Sequence, residues 1–322
     1  MINWSEIKKV VVLQPENPDG DSVASALALE EILGDMGKEV AIYSYVNIPS
    51  YLGYIEGHDR ITDEFPKEFD LSVIVDTVSG SLLENTLSGT RLSAINNKPV
   101  LVLDCHPVEN DLPLEHAEFF KGEGSVIATG ELVYQLAQQE GWEINSMAAT
   151  HIIEATLADT LGMTTEAVTS QTLRVVADML DKGAKMSDVD TRRRKMMQKS
   201  KEIVTYKGIL LQRIEYLLDG ALALITIPWE EIEKYSPLYN PSMLALEELR
   251  NTEGVKLSIA LKTYPDGKIT GKLRGNEPIA GKLAGHFGGG GHDYAAGFKT
   301  TDWQLDELKT EITKKAQELI HD

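Results

Sequence analysis

Apolar residues in the first half of the chain come in short unbroken runs separated by longer stretches. VVVLQ at 10–14 leads into SVASALALEEILGDMG at 22–37, and EVAIYSY at 39–45, LSVIVD at 71–76 and PVLVLD at 99–104 follow. Runs of this length suit strands covered on both faces. The stretch at 22–37 is long enough for a crossover helix, so the pattern predicts an α/β domain with a parallel sheet and flanking helices. From about 124 to 181 the period becomes helical, in three stretches beginning at Gly124, Ser146 and Ser170 that can cover the sheet. A strongly polar stretch, MSDVDTRRRKMMQKSKEIVTYKG at 186–208, marks a change in composition and reads as a helical connector. Beyond it a smaller α+β domain is predicted. It comprises a strand at 221–227, a helix at 241–250, two β-patterned runs around the turn Pro265-Asp266-Gly267, a helix at 279–287, and a small-residue strand at 294–298 after the glycine run 288–291. The expected boundaries are 1–184 for the first domain, 185–205 for the connector and 206–322 for the second domain.

Length and composition allow this division. A chain of 322 residues with 42% hydrophobic and 25% charged residues can bury two cores. No apolar stretch reaches the roughly 18 residues of a membrane span, and the N-terminal apolar run is too short for an export signal, which predicts a cytoplasmic protein with no membrane partner. The single cysteine, Cys105, cannot form an internal disulfide and leaves its thiol free for packing or for a metal. A net charge of −19 argues against long duplex nucleic acid, whose affinity comes from Lys and Arg releasing counterions. A small anion remains compatible, provided that bound cations reverse the field locally. The basic run Arg192-Arg193-Arg194-Lys195 reads as a solvated face.

Acidic residues fall at three places where the carboxyl ends of the predicted strands converge. Asp19 and Asp21 sit in a Pro-Asp-Gly-Asp turn between the first strand and its helix, Asp76 ends LSVIVD, and Asp104 ends PVLVLD. In an open parallel sheet this edge is the ligand crevice, and hard divalent cations prefer such oxygen ligands. An acidic turn capping a helix explains Asp19 and Asp21 about as well on their own. Asp104 is followed by Cys105 and His106, and Asp159, after a helix, can close the site from the helical side. In the second domain, glycines at 288–291 let backbone N–H groups approach an anion, His292 can donate to it, and Arg274 offers a planar five-donor guanidinium. Tyr294 is expected in the core.

These segments, in order, resemble the DHH phosphoesterases, specifically the two-domain group with a DHH-associated C-terminal domain that includes nanoRNase and pAp-phosphatase types. The resemblance rests on Pro18-Asp19-Gly20-Asp21, Asp76, Asp104-Cys105-His106, Asp159-Thr160, and Gly289-Gly290-Gly291-His292 with Ala295-Ala296-Gly297. It implies a hydrolase using two divalent ions, Mn²⁺ first with Mg²⁺ and Zn²⁺ as alternatives, for in-line attack on a phosphoester. Under it Asp19 binds one ion, Asp21 the other, Asp76 bridges them, and Asp159 completes the ligand set of the second ion. His106 meets the substrate phosphate, Asp104 orients its neighbours, and Arg274, Gly289, Gly290, Gly291 and His292 bind substrate. The implied substrates are short 5′-phosphorylated oligonucleotides or small nucleotides such as pAp and dinucleotides, with a homodimer left open.

Two positions depart from the family pattern. A ligand His expected four residues before Asp19 is Pro15, which has no ligand atom, and the first His of the third motif is Cys105, whose thiolate favours softer ions. Each ion then loses or alters one nitrogen ligand, and one of the two sites can be lost. The alternative expectation is a nucleotide-binding or sensing protein of the same fold with lapsed catalysis. Gln14 and Glu16, which flank Pro15, are expected to point away from its direction.

Overall fold

The structure is a computed structural model describing residues 2–106 and 110–321. It divides into two units, Met1–Gln198 and Lys199–Asp322. The first contains β1 (Lys9–Leu13), α1 (Gly20–Asp35), β2 (Glu39–Tyr43), β3 (Leu71–Val75), α2 (Gly89–Asn96), β4 (Val100–Leu103) and β5 (Ala117–Phe120), followed by α3 (Thr129–Glu140), α4 (Ser146–Asp159), α5 (Ser170–Asp181) and α6 (Met186–Met196). All five strands run parallel in the order β2-β1-β3-β4-β5. After β2 the chain crosses back over β1 to reach β3, so the order reverses between β1 and β3. That switch point, beyond the carboxyl ends of both strands, is where an open parallel sheet places its ligand crevice.

β3 and β4 are buried at every position, which is why their sequences run apolar without alternation. α1 is apolar over its first two and a half turns for the same reason: it lies between the sheet and α3 and α4, and reaches solvent only from Glu30 onward. The three helices cross at small residues. A Cβ placed on Gly20 would lie 2.7 Å from the Cβ of Ala158, and one on Gly130 would lie 2.5 Å from that of Ala155, so neither crossing has room for a methyl group. Asp159 is the last residue of α4 rather than a residue beyond it. β5 was not among the elements expected from the pattern.

The connector is helical, but Arg192 does not sit on a solvated face. Its guanidinium donates to the Tyr54 carbonyl at 3.2 Å and to the buried Glu154 at 2.8 Å, and His151 Nδ1 stands 2.9 Å from the other Glu154 oxygen. Arg194 is exposed and pairs with Asp190 on its own helix.

The second unit contains α7 (Lys201–Leu211), β6 (Glu215–Leu217), β7 (Leu222–Ile227), α8 (Trp229–Tyr235), α9 (Pro241–Arg250), β8 (Leu257–Thr263), β9 (Ile269–Gly275), α10 (Ala280–His286), β10 (Gly290–His292), β11 (Ala295–Thr300) and α11 (Leu305–His321). Its sheet, ordered β10-β11-β9-β8-β7-β6, is antiparallel except for the β7–β8 pair. α9 begins with Asn240 capping Ser242 N–H and Pro241 in the first turn, the two strongest start signals in this half. α11 was not expected, although Leu308, Ile312 and Ala316 form a fully buried stripe along it. Tyr294, expected in the core, is exposed. Among the described residues no helix is long and apolar enough to cross a membrane.

Candidate metal centre

The site begins where β1 ends. Asp19 is the N-cap of α1: its Oδ1 accepts from Ser22 N–H, and its own N–H donates to Ser22 Oγ, both at 3.0 Å. One carboxylate oxygen of Asp19 is thereby committed to capping. Asp21, in the first turn, is fully buried. Its Oδ2 accepts from Thr129 N–H at 2.6 Å, and its Oδ1 from Gly130 N–H at 3.2 Å and Ser25 Oγ at 2.8 Å. Those two N–H groups open α3, whose own N-cap, Ala128, has no side-chain acceptor. A carboxylate from another helix therefore satisfies the orphan donors and meets the positive end of the helix dipole.

Asp76 follows β3 in a left-handed backbone conformation, φ 62°, which Asp tolerates better than most residues. Thr129 Oγ1 donates to Asp76 Oδ1 at 3.0 Å, so one residue at the head of α3 holds both Asp21 and Asp76. Thr129 was not anticipated from the sequence. Asp104 follows β4, and its Oδ1 lies 2.7 Å from His106 Nδ1, which is 3.7 Å from Asp76 Oδ1. Ligand atoms of Asp76, Asp104, Cys105 and His106 lie within 4.8 Å of one another, as do those of Asp21, Cys105 and Asp159, and Cys105 is common to both groups. Asp19 stands outside both, close enough to act on Asp21, Asp76 and Asp159 through its charge.

The electrostatics are those of anions crowded together. Burial, then the charges of Asp159 and Asp19, push Asp21 up to about 7. Asp76 rises well above the carboxylate range, first through burial and then through Asp21, Asp19 and Asp159. Asp159 rises to about 6 through burial and Asp19, with His106 acting in the opposite direction. Burial drives the Cys105 thiol up, and the three aspartates add to it. His106 is raised mainly by its hydrogen bond to Asp104. Asp104 Oδ2 is buried without a hydrogen-bond partner. The donor set fits a divalent cation: four carboxyl groups, one thiol and one imidazole fall into two clusters that share Cys105, with an acceptor atom of Asp104 unspent and mutual repulsion that a dication removes.

The two neighbours of Pro15 differ in what they leave free: both Glu16 oxygens are taken, whereas Gln14 Oε1 is buried without a hydrogen-bond partner. Glu16 accepts from the N–H groups of Asn85 and Thr86 and from Asn85 Nδ2, at 2.7 to 2.9 Å, and Gln14 Nε2 donates to the Ser22 carbonyl at 2.9 Å.

In the second unit, Arg274 on β9 is paired with Ala295 on β11, and Ala295 with His292 on β10. Directly opposed residues face the same side of a sheet, so Arg274 and His292 share one face across three strands. The Arg274 guanidinium makes one local hydrogen bond, to the Leu273 carbonyl at 2.9 Å. The glycine run is not wholly a loop: Gly290 and Gly291 belong to the exposed edge strand β10. A Cβ on Gly291 would meet the Ala295 carbonyl oxygen at 2.6 Å and one on Gly289 would strike Gly297, whereas the space beside Gly290 is open. Close strand packing is thus one reason for two of these glycines.

Residues 9–164 match the DHH family, N-terminal domain, and residues 240–322 match the DHHA1 domain. The chain is 22% identical over 315 residues, 96% of its length and 95% of the relative's, to a protein of Bacillus subtilis named bifunctional oligoribonuclease and PAP phosphatase NrnA. It is 26% identical over 312 residues to an A-adding tRNA nucleotidyltransferase of Aquifex aeolicus, covering 94% of this chain but 34% of that one. A crystal structure of an exopolyphosphatase-related protein from Bacteroides fragilis superposes with a TM-score of 0.75 at 21% identity, over 99% of this chain and 95% of that one, and so shares the fold.

Proposed function

The chain belongs to the DHH family, and from that premise we propose that it is a metal-dependent phosphoesterase acting on short 5′-phosphorylated oligonucleotides or on small nucleotides such as pAp and dinucleotides. The observation that carries this reading is the convergence of Asp21, Asp76, Asp104, Cys105, His106 and Asp159 at the switch point of the sheet. End-to-end similarity to a protein named for oligoribonuclease and PAP phosphatase activity supports the substrate class.

In this reading Asp21, Cys105 and Asp159 hold one ion, and Asp76 and Cys105 hold the other, with Asp19 able to add its uncommitted oxygen. The chemistry that divalent ions supply when bound is Lewis-acid polarisation of a phosphoryl oxygen and acidification of water. Thr129 and the first N–H groups of α3 fix the carboxylates that face the ions. His106, held through Nδ1 by Asp104, is left with Nε2 to donate to the phosphate. The raised affinity of His106 for its proton favours the cationic donor form. In the second unit, the row of Arg274 and His292 beside Gly290 offers a guanidinium, an imidazole and backbone donors to a terminal phosphate.

The test is incubation of metal-stripped protein with Mn²⁺ and a panel of pAp, pApA, cyclic dinucleotides and short RNA, with the products resolved. Asp76→Asn keeps a residue tolerant of the left-handed backbone and should abolish turnover without unfolding the protein. Normal turnover by that variant would refute the metal assignment. A second reading, nucleotide binding without turnover, is favoured by Pro15, which has no ligand atom, and by the raised Cys105 thiol. It predicts nucleotide binding at the second unit with no product in any metal.

A further inference from the structure

Beside the acidic cluster, the carboxyl ends of β4 and β5 open onto a cavity of about 680 Å³. Asp104, Cys105 and His106 line one end, and Phe119 and Lys121 face it from β5 and just beyond. Its volume falls within the roughly 300–1,000 Å³ of small-molecule sites.

β5 is the outermost strand, and its successive residues face opposite sides. Phe120 packs against the core beneath α1, α3 and α4. Phe119 instead keeps 38% of its surface exposed, and it contacts no other aromatic ring among the described residues. An aromatic face left open in a cavity wall beside a polar centre is a surface for a flat ligand. Lys121 is exposed and has no ion-pair partner among the described residues, in a chain with 50 acidic residues against 31 basic ones. This wall is built in place. The Glu123 carbonyl accepts from Gln135 Nε2 and Gln171 Nε2, both at 3.1 Å, and Glu123 N–H donates to Gln135 Oε1 at 2.6 Å, which ties the segment after Lys121 to α3 and α5.

The geometry points to a subsite for the second nucleoside of the substrate, in which Phe119 stacks on the base beyond the scissile phosphate and Lys121 neutralises the phosphate that follows. The inference rests on the phosphoesterase reading and adds to it a preference for substrates of at least two nucleotides over pAp. A mononucleotide bisphosphate such as pAp has no second base to place on Phe119.

The readout is the ratio of kcat/KM for pApA to that for pAp, measured in Mn²⁺ for the wild type, Phe119→Ala, Phe119→Leu and Phe119→Trp. Loss of one stacked base should lower the ratio roughly 5- to 100-fold in the Ala and Leu variants, and Trp should restore it. Leu fills the volume without a ring, so it separates stacking from packing if the Ala variant folds poorly. Lys121→Gln should weaken the salt dependence of KM for pApApA. A ratio that is the same in all four proteins overturns the subsite. If the wild type cleaves neither substrate, the phosphoesterase reading fails, and the subsite is judged by equilibrium binding of pA carrying a 3′-linked 2-aminopurine nucleoside. Emission quenched by the wild type and Trp variant but not by Ala or Leu supports the stack, and equal emission with all four overturns it.

Discussion

Replacing Asp21 by Asn should invert its effect on stability between acid and neutral pH when the protein has been stripped of metal with EDTA. Asp21 takes up its proton at about 7 in the folded chain against 3.8 for an exposed aspartate, because it is buried among other carboxyls. Below pH 4 both states are protonated and the group contributes nothing. As pH rises from 4 to 7 the unfolded chain loses this proton while the folded chain keeps it, so folding becomes progressively less favourable. Above 7 the full difference is present, about 4 kcal/mol for a shift of this size. Asn removes that penalty but turns one N–H toward Thr129 N–H, which now donates to Asp21 at 2.6 Å. Facing two donors costs about 1–3 kcal/mol at any pH. The variant should therefore be less stable than the wild type near pH 4.5 and more stable by about 1–3 kcal/mol near pH 8. Urea denaturation across that range reads the difference directly. A variant less stable at every pH, or a difference that does not change with pH, would refute the reasoning. Mn²⁺ should stabilise the wild type more than the variant, which keeps only the group around Asp76 and Cys105.

Three further outcomes follow from named contacts. Thr129→Val removes the hydroxyl that holds Asp76 and should weaken Mn²⁺ binding about 10- to 100-fold by calorimetric titration, as loss of a group orienting a ligand commonly does. Arg192→Met leaves Glu154 buried without its cation and should cost about 3 kcal/mol in denaturant unfolding, the low end for breaking a buried pair because Arg192 is partly exposed. Arg274→Ala should raise KM for a 5′-phosphorylated dinucleotide roughly 30-fold, from loss of about 2 kcal/mol of charged hydrogen bonding, and barely change KM for the unphosphorylated one.

Much of the acidic cluster is legible in the chain because Asp76 and Asp104 terminate apolar strands, where a buried carboxyl has no structural purpose. Asp159 is legible only through its spacing within a longer pattern. Thr129 leaves no such trace: its main service is a backbone N–H, which every residue but proline has, and the sign that it is available is the missing side-chain cap at Ala128. Arg192 is misleading for a related reason, since three of the four residues in its basic run face solvent and the glutamate it reaches lies 38 positions away. β5 is short and carries Glu118 amid its apolar residues, so its strand character depends on pairing with β4. The α11 stripe is written plainly at a spacing of four.

The crossings of α1 with α4 at Gly20 and Ala158, and of α3 with α4 at Gly130 and Ala155, set a geometric limit on how this pocket can diversify. Backbones that already touch cannot move inward, and separating them would empty the densest part of the core. The separation of Asp21 on α1 from Asp159 on α4 is therefore set by the helix crossing, so in the proposed site a change of preferred ion would come from exchanging donor atoms and not from moving the frame.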